Sequence, residues 1–326
     1  MSLLEVDDLR VSFSARHGEV AALDGVSFRV DEGETLGVVG ESGCGKSIMA
    51  LTVMGLIPHP PGRITGGSIR FRGEELVGAK TSRLRRLRGA EIAMIFQEPM
   101  TSLNPVFRVG DQIAEAVLLH QDVSKAEAWN LAVEFIRTVG IPEPATRARA
   151  YPHELSGGMR QRVMIAMAMS CRPRLLIADE PTTALDVTVQ AQIFGLMRDL
   201  QEEFGVGIIM ITHDMGAIAE LSDRVAVMYA GRIVEHGTAD EILDTPLHPY
   251  TRGLIACIPT FGKETGKVER FPPLEEIPGI VPPLHLLDKG CAFADRCALV
   301  HDACGVAPPL SGGPHSVACH AAGGPA

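Results

Sequence analysis

A glycine-rich segment early in the chain has the composition of a phosphate-binding loop. Residues 40–47 fit the pattern Gly-x-x-x-x-Gly-Lys-Ser, which ends in Lys46 and Ser47. Glycines let successive backbone N–H groups turn toward phosphate oxygens, because no Cβ blocks the dihedral angles required. A lysine at this spacing reaches the β- and γ-phosphates, and the hydroxyl after it can ligate Mg2+. The segment therefore predicts a nucleotide site, and a simple glycine turn is the alternative.

Apolar residues on both sides of this loop indicate how it is held. Residues 35–39 are typical of a buried strand and residues 48–56 of a helix, so the loop leads into a helix N-terminus. The positive end of that helix then faces the phosphates. Cys44 occupies a variable position of the pattern, and we interpret it as a small filling residue rather than a nucleophile. The loop residues expected to contact the nucleotide are Gly40, Ser42, Gly43, Cys44, Gly45, Lys46, Ser47 and Ile48.

Two adjacent carboxylates follow a second buried strand. Residues 175–178 are apolar and lead directly into Asp179 and Glu180. Asp179 is placed to hold Mg2+, directly or through water, and Glu180 to polarise a water for attack on the terminal phosphate. The alternative is a buried strand that ends in a capping aspartate, which explains one acid but not two.

The segment Leu-Ser-Gly-Gly-Met-Arg-Gln-Arg occupies residues 155–162, just upstream of that strand. With the phosphate loop and the paired acids, this ordered set resembles the nucleotide-binding subunits of ATP-binding cassette (ABC) transporters, over residues 3–255. The resemblance implies an α/β P-loop NTPase fold: a RecA-like core with an antiparallel β subdomain and an inserted α-helical subdomain over residues 105–170. We expect the nucleotide-binding domain to span residues 1–258. A small Cys/Pro-rich extension is expected over residues 259–326.

The same resemblance implies roles for residues elsewhere in the chain. Gln97 matches the glutamine that senses Mg2+ and the attacking water, and His213 matches the histidine that contacts the γ-phosphate. Phe13 most resembles the aromatic residue that stacks on adenine, and an ordinary strand residue is the alternative. The expected catalytic residues are Gln97, Glu180 and His213, and the expected magnesium ligands are Ser47, Gln97 and Asp179. The residues matched to the signature and D-loop motifs at the nucleotide are Ser156, Gly157, Gly158, Gln161 and Asp186.

In this family the signature of one subunit closes over the P-loop nucleotide of another, so one chain holds half of each composite site. The present sequence carries one P-loop and one signature, and the resemblance therefore implies a dimer for ATP hydrolysis. ATP binding would join the two halves and hydrolysis would release them.

Three further segments resemble the oligopeptide, dipeptide and nickel permease ATPases, most of all the first (D-type) of their two ATPase subunits. The matching segments are residues 94–105, 178–188 and 248–251. This resemblance implies import of di- or oligopeptides, with nickel chelates or sugars as the alternative cargo. It also implies two transmembrane permease subunits, an extracytoplasmic substrate-binding protein, and a second ATPase in a heterodimer, which we favour over a homodimer. The chain would then lie peripherally at the cytoplasmic face of the inner membrane.

Four of the seven cysteines crowd into the last 36 residues: Cys291, Cys297, Cys304 and Cys319. Clustered cysteines in a reducing compartment more often bind metal than form disulfides. Some members of the subfamily bind a [4Fe–4S] cluster through matching cysteines, and we favour that assignment. Zinc also accepts four sulfurs, although its usual paired knuckles are absent. Free thiols or a disulfide are the third alternative.

Composition narrows the function classes. The chain has 326 residues, of which 46% are hydrophobic, so it can bury a sizeable core, and its net charge of −10 argues against a nucleic-acid partner. No run approaches the roughly 18 apolar residues of a membrane span, and the first ten residues lack the apolar core of a secretory signal. A soluble ABC ATPase that acts on DNA or ribosomes is the alternative in another class. The acidic balance and the permease-type tail weigh against it.

Overall fold

The computed structural model describes residues 2–15, 18–97, 102–183, 185–258, 276–282, 287 and 290–322. The strands in these residues are β1 (Ser2–Ala15), β2 (Gly18–Asp31), β3 (Thr35–Val39), β4 (Gly62–Phe71), β5 (Glu74–Glu75), β6 (Ile92–Ile95), β7 (Leu175–Asp179), β8 (Gly207–Thr212), β9 (Arg224–Tyr229), β10 (Arg232–Thr238), β11 (Ser311–Gly312) and β12 (Ser316–Val317). The α-helices are α1 (Lys46–Val53), α2 (Thr81–Leu87), α3 (Val109–His120), α4 (Lys125–Thr138), α5 (Pro144–Arg147), α6 (Gly157–Met169), α7 (Val187–Phe204), α8 (Met215–Leu221), α9 (Ala239–Asp244) and α10 (Pro249–Ala256).

Two sheets organise the molecule. The smaller is antiparallel, with strand order β2-β1-β4-β5, and the larger has the order β11-β12-β10-β9-β3-β8-β7-β6. The five strands from β9 to β6 are parallel to one another, whereas β10 pairs antiparallel with β9. Strands β3, β7 and β8 are buried along their whole length, because both faces of a parallel sheet are covered. The carboxyl ends of these strands therefore meet at one edge, where ligands bind in such folds.

Two apolar clusters cover the two faces of the larger sheet. One joins helices α3, α4, α6 and α7 to the sheet and includes Ile113, Phe135 and Ile165. The other lies between the antiparallel sheet, helix α1 and the parallel strands, and includes Val26 and Met49.

The segment between β6 and β7 is helical in its described part. Helix α4 begins with a capping box, in which Ser124 accepts from the N–H of Glu127 and the Glu127 carboxylate accepts from the N–H of Ser124. This reciprocal pair satisfies two of the backbone donors that a helix N-terminus leaves free. In the described part of the chain, no helix combines the length and apolarity needed to cross a bilayer.

The C-terminal extension joins the cassette in two places. Strand β12 pairs with β10, with Val317 opposite Glu235, so the extension lengthens the larger sheet. The ring of Phe293 packs against Tyr229 and Tyr250 at centroid distances of 5.3 and 5.4 Å, in a third buried cluster. The boundary at residue 258 stays a prediction, because the described parts of both segments share this cluster.

Candidate functional site

Strand β3 and helix α1 flank the loop of residues 40–45. Gly40 has a φ of +153°, and a Cβ at this position would lie 2.2 Å from the carbonyl oxygen of Met228. Gly45 caps the N-terminus of α1 with a φ of 108°. Both conformations are strained for residues that carry a side chain. The chain therefore needs glycine where it enters the loop and where it leaves it.

Lys46 is folded back onto the loop. Its Nζ donates to the carbonyl oxygens of Gly40 at 2.7 Å and Glu41 at 3.0 Å, and the residue is only 5% exposed. Ser42 and Gly43 form the exposed tip, and nothing lies within 4 Å of the position of a Cβ on Gly43. A phosphate in this space would offer Lys46 charged acceptors, which form stronger hydrogen bonds than neutral carbonyls do.

Cys44 and Ile48 turn their side chains toward the protein. Cys44 is fully buried, and burial raises the pKa of its thiol, so the group is protonated and fills space. Ile48 packs partly buried against the antiparallel sheet and its core. These two residues take part in the loop through their backbone rather than through their side chains.

Asp179 ends β7 next to this loop. Its side chain is buried, burial raises its pKa, and a hydrogen bond with the Ser47 hydroxyl opposes that shift. The Oδ1 atom of Asp179 is buried and has no hydrogen-bond partner. Mg2+ prefers oxygen ligands of this kind, and an ion here would give the unpartnered oxygen its missing contact. Ser47 and Asp179 therefore fit a magnesium site, and the role of Gln97 as a further ligand stays a prediction.

The expected catalytic residues meet at Glu180. Its Oε2 accepts hydrogen bonds from Gln97 Nε2 at 2.9 Å and from the Thr183 hydroxyl at 3.0 Å, and its Oε1 lies 3.5 Å from His213 Nδ1. The backbone of Glu180 has a φ of +47° and its N–H donates to the carbonyl oxygen of Ile211. Such non-glycine strain occurs mostly at functional sites. The structure thus gathers an amide, a carboxylate and an imidazole, and it adds Thr183, which the sequence analysis missed.

The residues matched to the signature and D-loop lie at the starts of two helices. Ser156 caps α6 and accepts from the N–H of Met159 at 3.3 Å, while Asp186 caps α7 and accepts from the N–H of Val189 at 3.0 Å. Ser156, Gly157 and Asp186 are exposed. The positive end of α6 is therefore open to an anion that a second chain would carry.

Two other residues of the signature segment lie deeper. A Cβ on Gly158 would approach Val189 Cγ1 to 2.9 Å, so this glycine allows α6 to pack closely on α7. Gln161 is only 2% exposed and its Nε2 has no hydrogen-bond partner. The expected contact of Gln161 with the nucleotide stays a prediction.

Phe13 lies in β1 opposite Gly62 of β4. Its ring covers that glycine, because a Cβ on Gly62 would lie 2.8 Å from Phe13 Cε1. The side chain packs, partly buried, against the core of the antiparallel sheet. This is the geometry of an ordinary strand residue, and stacking of Phe13 on adenine stays a prediction.

Two residues behind the phosphate loop, Tyr250 and Arg296, were not among the expected site residues. The Tyr250 hydroxyl accepts a hydrogen bond from the N–H of Glu41 at 2.8 Å. Arg296, in the C-terminal extension, donates two hydrogen bonds to the Glu41 carboxylate at 2.6 and 3.0 Å. The partners are 209 and 255 positions apart, so no local pattern could have signalled either contact.

The four C-terminal cysteines lie in one region as free, partly buried thiols. Burial raises the pKa of Cys291, and the neighbouring Cys304, Cys319 and Cys297 raise it further, so the thiols are close enough to interact. Across the residues that the structure describes, however, no three His, Cys, Asp or Glu side chains are arranged to hold a metal ion. The geometry by itself therefore does not support the expected [4Fe–4S] site.

Comparisons with known proteins agree with the cassette architecture. The family described as ABC transporter matches residues 23–183, and the one described as oligopeptide/dipeptide transporter, C-terminal region, matches residues 234–304. The oligopeptide transport ATP-binding protein OppD of Bacillus subtilis (strain 168) is 55% identical over 294 residues, which are 90% of this chain and 81% of that protein. OppD of Escherichia coli (strain K12) is 52% identical over 309 residues, covering 95% and 89% of the two chains.

Solved structures also match the fold of an ATP-binding cassette. The dimeric ATP-binding cassette MJ0796, in a post-hydrolysis state bound to ADP and Pi, has a TM-score of 0.65 and 25% identity, covering 72% of this chain and 98% of that one. The predicted fold and family are thereby confirmed. This chain belongs to the family of ABC transporter ATP-binding proteins, in the group that carries the C-terminal region of oligopeptide/dipeptide transporters.

Proposed function

We propose that this chain is the ATP-hydrolysing subunit of an ABC importer for di- or oligopeptides. The observation that carries the ATPase assignment is the meeting of Gln97 and His213 on the Glu180 carboxylate, beside the phosphate loop. The cargo assignment is supported by the two OppD relatives, which are named as oligopeptide transport ATP-binding proteins.

The proposed reaction uses the side chains as the structure arranges them. Lys46 exchanges its carbonyl acceptors for the β- and γ-phosphates, and the loop N–H groups surround the phosphate oxygens. Ser47 and Asp179 would hold Mg2+, which neutralises charge on the phosphates when it is bound. The Glu180 carboxylate accepts the proton of the attacking water, as Gln97 and Thr183, which both donate to its Oε2, hold it in place.

The exposed N-termini of α6 and α7 support assembly with a second ATPase, and the related MJ0796 cassette is dimeric. We favour a heterodimer on the resemblance of this chain to one of two paired subunits. The other proposed partners are two transmembrane permease subunits and an extracytoplasmic binding protein, with this chain peripheral at the cytoplasmic face of the inner membrane. The net charge of −10 is consistent with the absence of a nucleic-acid partner from this set.

We also propose a [4Fe–4S] cluster in the extension, and zinc, free thiols or a disulfide are the alternatives. Its support is the spacing of the four cysteines in the sequence, whose thiols are free and could each serve one iron. Iron and acid-labile sulfide should be measured in anaerobically purified protein, with Cys171→Ser as the control and Cys304→Ser as the test. Loss of both elements only in the Cys304→Ser protein supports the cluster, whereas stoichiometric zinc or neither element refutes it.

The function itself is tested by reconstitution with the permease subunits and the binding protein in proteoliposomes. We expect a short peptide to stimulate ATP hydrolysis by the wild-type complex but not by a complex with Lys46→Ala. Stimulation by a nickel chelate or a sugar, and not by peptides, would show that the cargo assignment is wrong. Equal hydrolysis by the Lys46→Ala complex would instead show that the phosphate loop is misassigned.

A further inference from the structure

An arginine of the C-terminal extension binds the carboxylate of Glu41, the second residue of the phosphate loop. Arg296 donates from Nη1 to Glu41 Oε2 at 2.6 Å and from Nη2 to Glu41 Oε1 at 3.0 Å. This paired geometry fixes the direction of the carboxylate as well as its distance. Since Glu41 is the residue directly after Gly40, the contact acts on the point where the chain leaves β3 and enters the loop.

The guanidinium is itself held tightly. The Arg296 side chain is 4% exposed, while that of Glu41 is 30% exposed. The Nε of Arg296 donates to the carbonyl oxygen of Pro278 at 2.8 Å, and its Cζ lies 5.9 Å from the ring centroids of both Tyr229 and Phe293. A guanidinium surrounded in this way cannot follow a mobile carboxylate, so it works as a rigid support.

Three separate contacts then define the backbone at Glu41. Arg296 holds its carboxylate, the Tyr250 hydroxyl accepts from its N–H, and Lys46 donates to its carbonyl oxygen. The first two lie outside the loop and do not depend on the position of Lys46. When a phosphate draws Lys46 away, the support from Arg296 and Tyr250 remains.

We infer that Arg296 is a positioning residue for nucleotide binding, which acts through Glu41 to hold the phosphate loop in its binding conformation. This inference rests on the proposed role of residues 40–47 as the phosphate site. Preorganised donors bind an anion more tightly than donors that must first be ordered. Loss of the pair should therefore weaken ATP binding and leave the chemical step at Glu180 nearly unchanged.

The test compares Arg296→Gln and Glu41→Gln, singly and together, in the full-length protein within the purified complex. ATP affinity should be measured by titration with a fluorescent ATP analogue, and KM and kcat by steady-state hydrolysis. We expect each single variant to raise Kd and KM on the order of tenfold, with kcat within about twofold of wild type. The double variant should be no weaker than either single variant, because the pair is already lost, and Arg296→Lys should recover part of the affinity.

A matched control removes an ion pair of intermediate burial elsewhere. Arg224 Nη1 lies 3.0 Å from Glu34 Oε1, and Glu34 immediately precedes the other end of β3. Arg224→Gln should lower the melting temperature without changing Kd for the analogue. Equal shifts in Kd for Arg224→Gln and Arg296→Gln would overturn the inference, since both would then reflect general loosening.

Further results for the Arg296 and Lys46 variants would also overturn the positioning role of Arg296. Unchanged or tighter binding by Arg296→Gln would overturn the inference, and so would a loss confined to kcat. Should Arg296→Gln fail to fold, Glu41→Gln removes the same pair from the loop side and gives the same readout. Lys46→Ala distinguishes failure of the phosphate site from failure of the positioning role. Normal ATP binding by Lys46→Ala would refute the phosphate site itself. Loss of ATP binding by Lys46→Ala, together with normal ATP binding by Arg296→Gln, would refute only the positioning role of Arg296.

Discussion

Replacement of Glu180 by glutamine is the most direct test of the hydrolytic centre. The change keeps the size of the side chain and one carbonyl oxygen, which can still accept from Gln97 or from Thr183, whose donors lie 2.9 and 3.0 Å from Oε2. It removes the negative charge and the second acceptor, which faces His213. The variant therefore retains the shape of the site and loses the group that would take the proton of the attacking water.

The expected size of the effect follows from that role. General-base catalysis contributes about 10²- to 10⁴-fold to a rate, or about 2.7 to 5.4 kcal/mol of barrier at ~1.36 kcal/mol per tenfold. We expect kcat of Glu180→Gln to fall by this factor. ATP binding should persist, because Lys46 and the loop are untouched and the charge that is lost repels the phosphates.

Hydrolysis should be followed as phosphate release by the purified complex, and binding by titration with a fluorescent ATP analogue. Glu74→Gln is the control, since Glu74 is an exposed carboxylate that pairs with Arg83 on the surface. Turnover of Glu180→Gln at the wild-type rate would refute the general-base assignment. Loss of binding together with turnover would show instead that Glu180 supports the site structurally.

Three further predictions concern the fold. Gly40→Ala should destabilise the protein and abolish ATP binding, because its Cβ would lie 2.2 Å from the Met228 carbonyl oxygen, and melting curves with ATP titration check this. Gly195→Ala, whose Cβ would meet nothing within 4 Å in helix α7, should stabilise the protein by about 0.5 to 1 kcal/mol in urea unfolding. Burial lowers the pKa of both His236 and His248 from 6.5 to about 4, so both stay neutral in the folded protein. The free energy of unfolding should be highest above pH 6.5 and should fall as the pH falls toward 4, because only the unfolded chain then binds protons at these two histidines. The slope should approach ~2.7 kcal/mol per pH unit. Equal unfolding free energies at pH 7 and pH 5 would contradict this.

Local patterns predicted the parts of the fold in which sequence neighbours are also structural neighbours. The strand, loop and helix at residues 35–53 follow each other directly. Strand β10 was not predicted, because Glu235 and His236 interrupt its apolar pattern. Glu235 is nevertheless fully buried, where it accepts hydrogen bonds from two backbone N–H groups and from His315. Such compensation by distant partners overrides local propensity.

The candidate site also contains some residues that local sequence patterns predict and others that they do not. The phosphate loop and the acids after β7 could be predicted, because each motif is contiguous and sits at a strand end. The support from Tyr250 and Arg296 could not, since it depends on how the extension packs. Cysteine spacing predicted that four thiols gather, but spacing alone carries no information about whether their sulfurs can surround one centre.

The pairing of β12 with β10 has a consequence for the solubility of the protein. A sheet edge displays unpaired N–H and C=O groups that recruit strands from other molecules, and β12 occupies that edge at Glu235 and His236. A chain cut after residue 258 would keep the phosphate loop and Glu180, yet it would present this edge and the rings of Tyr229 and Tyr250 to water. We expect such a fragment to sediment as aggregates where the full chain does not, because the extension covers this edge.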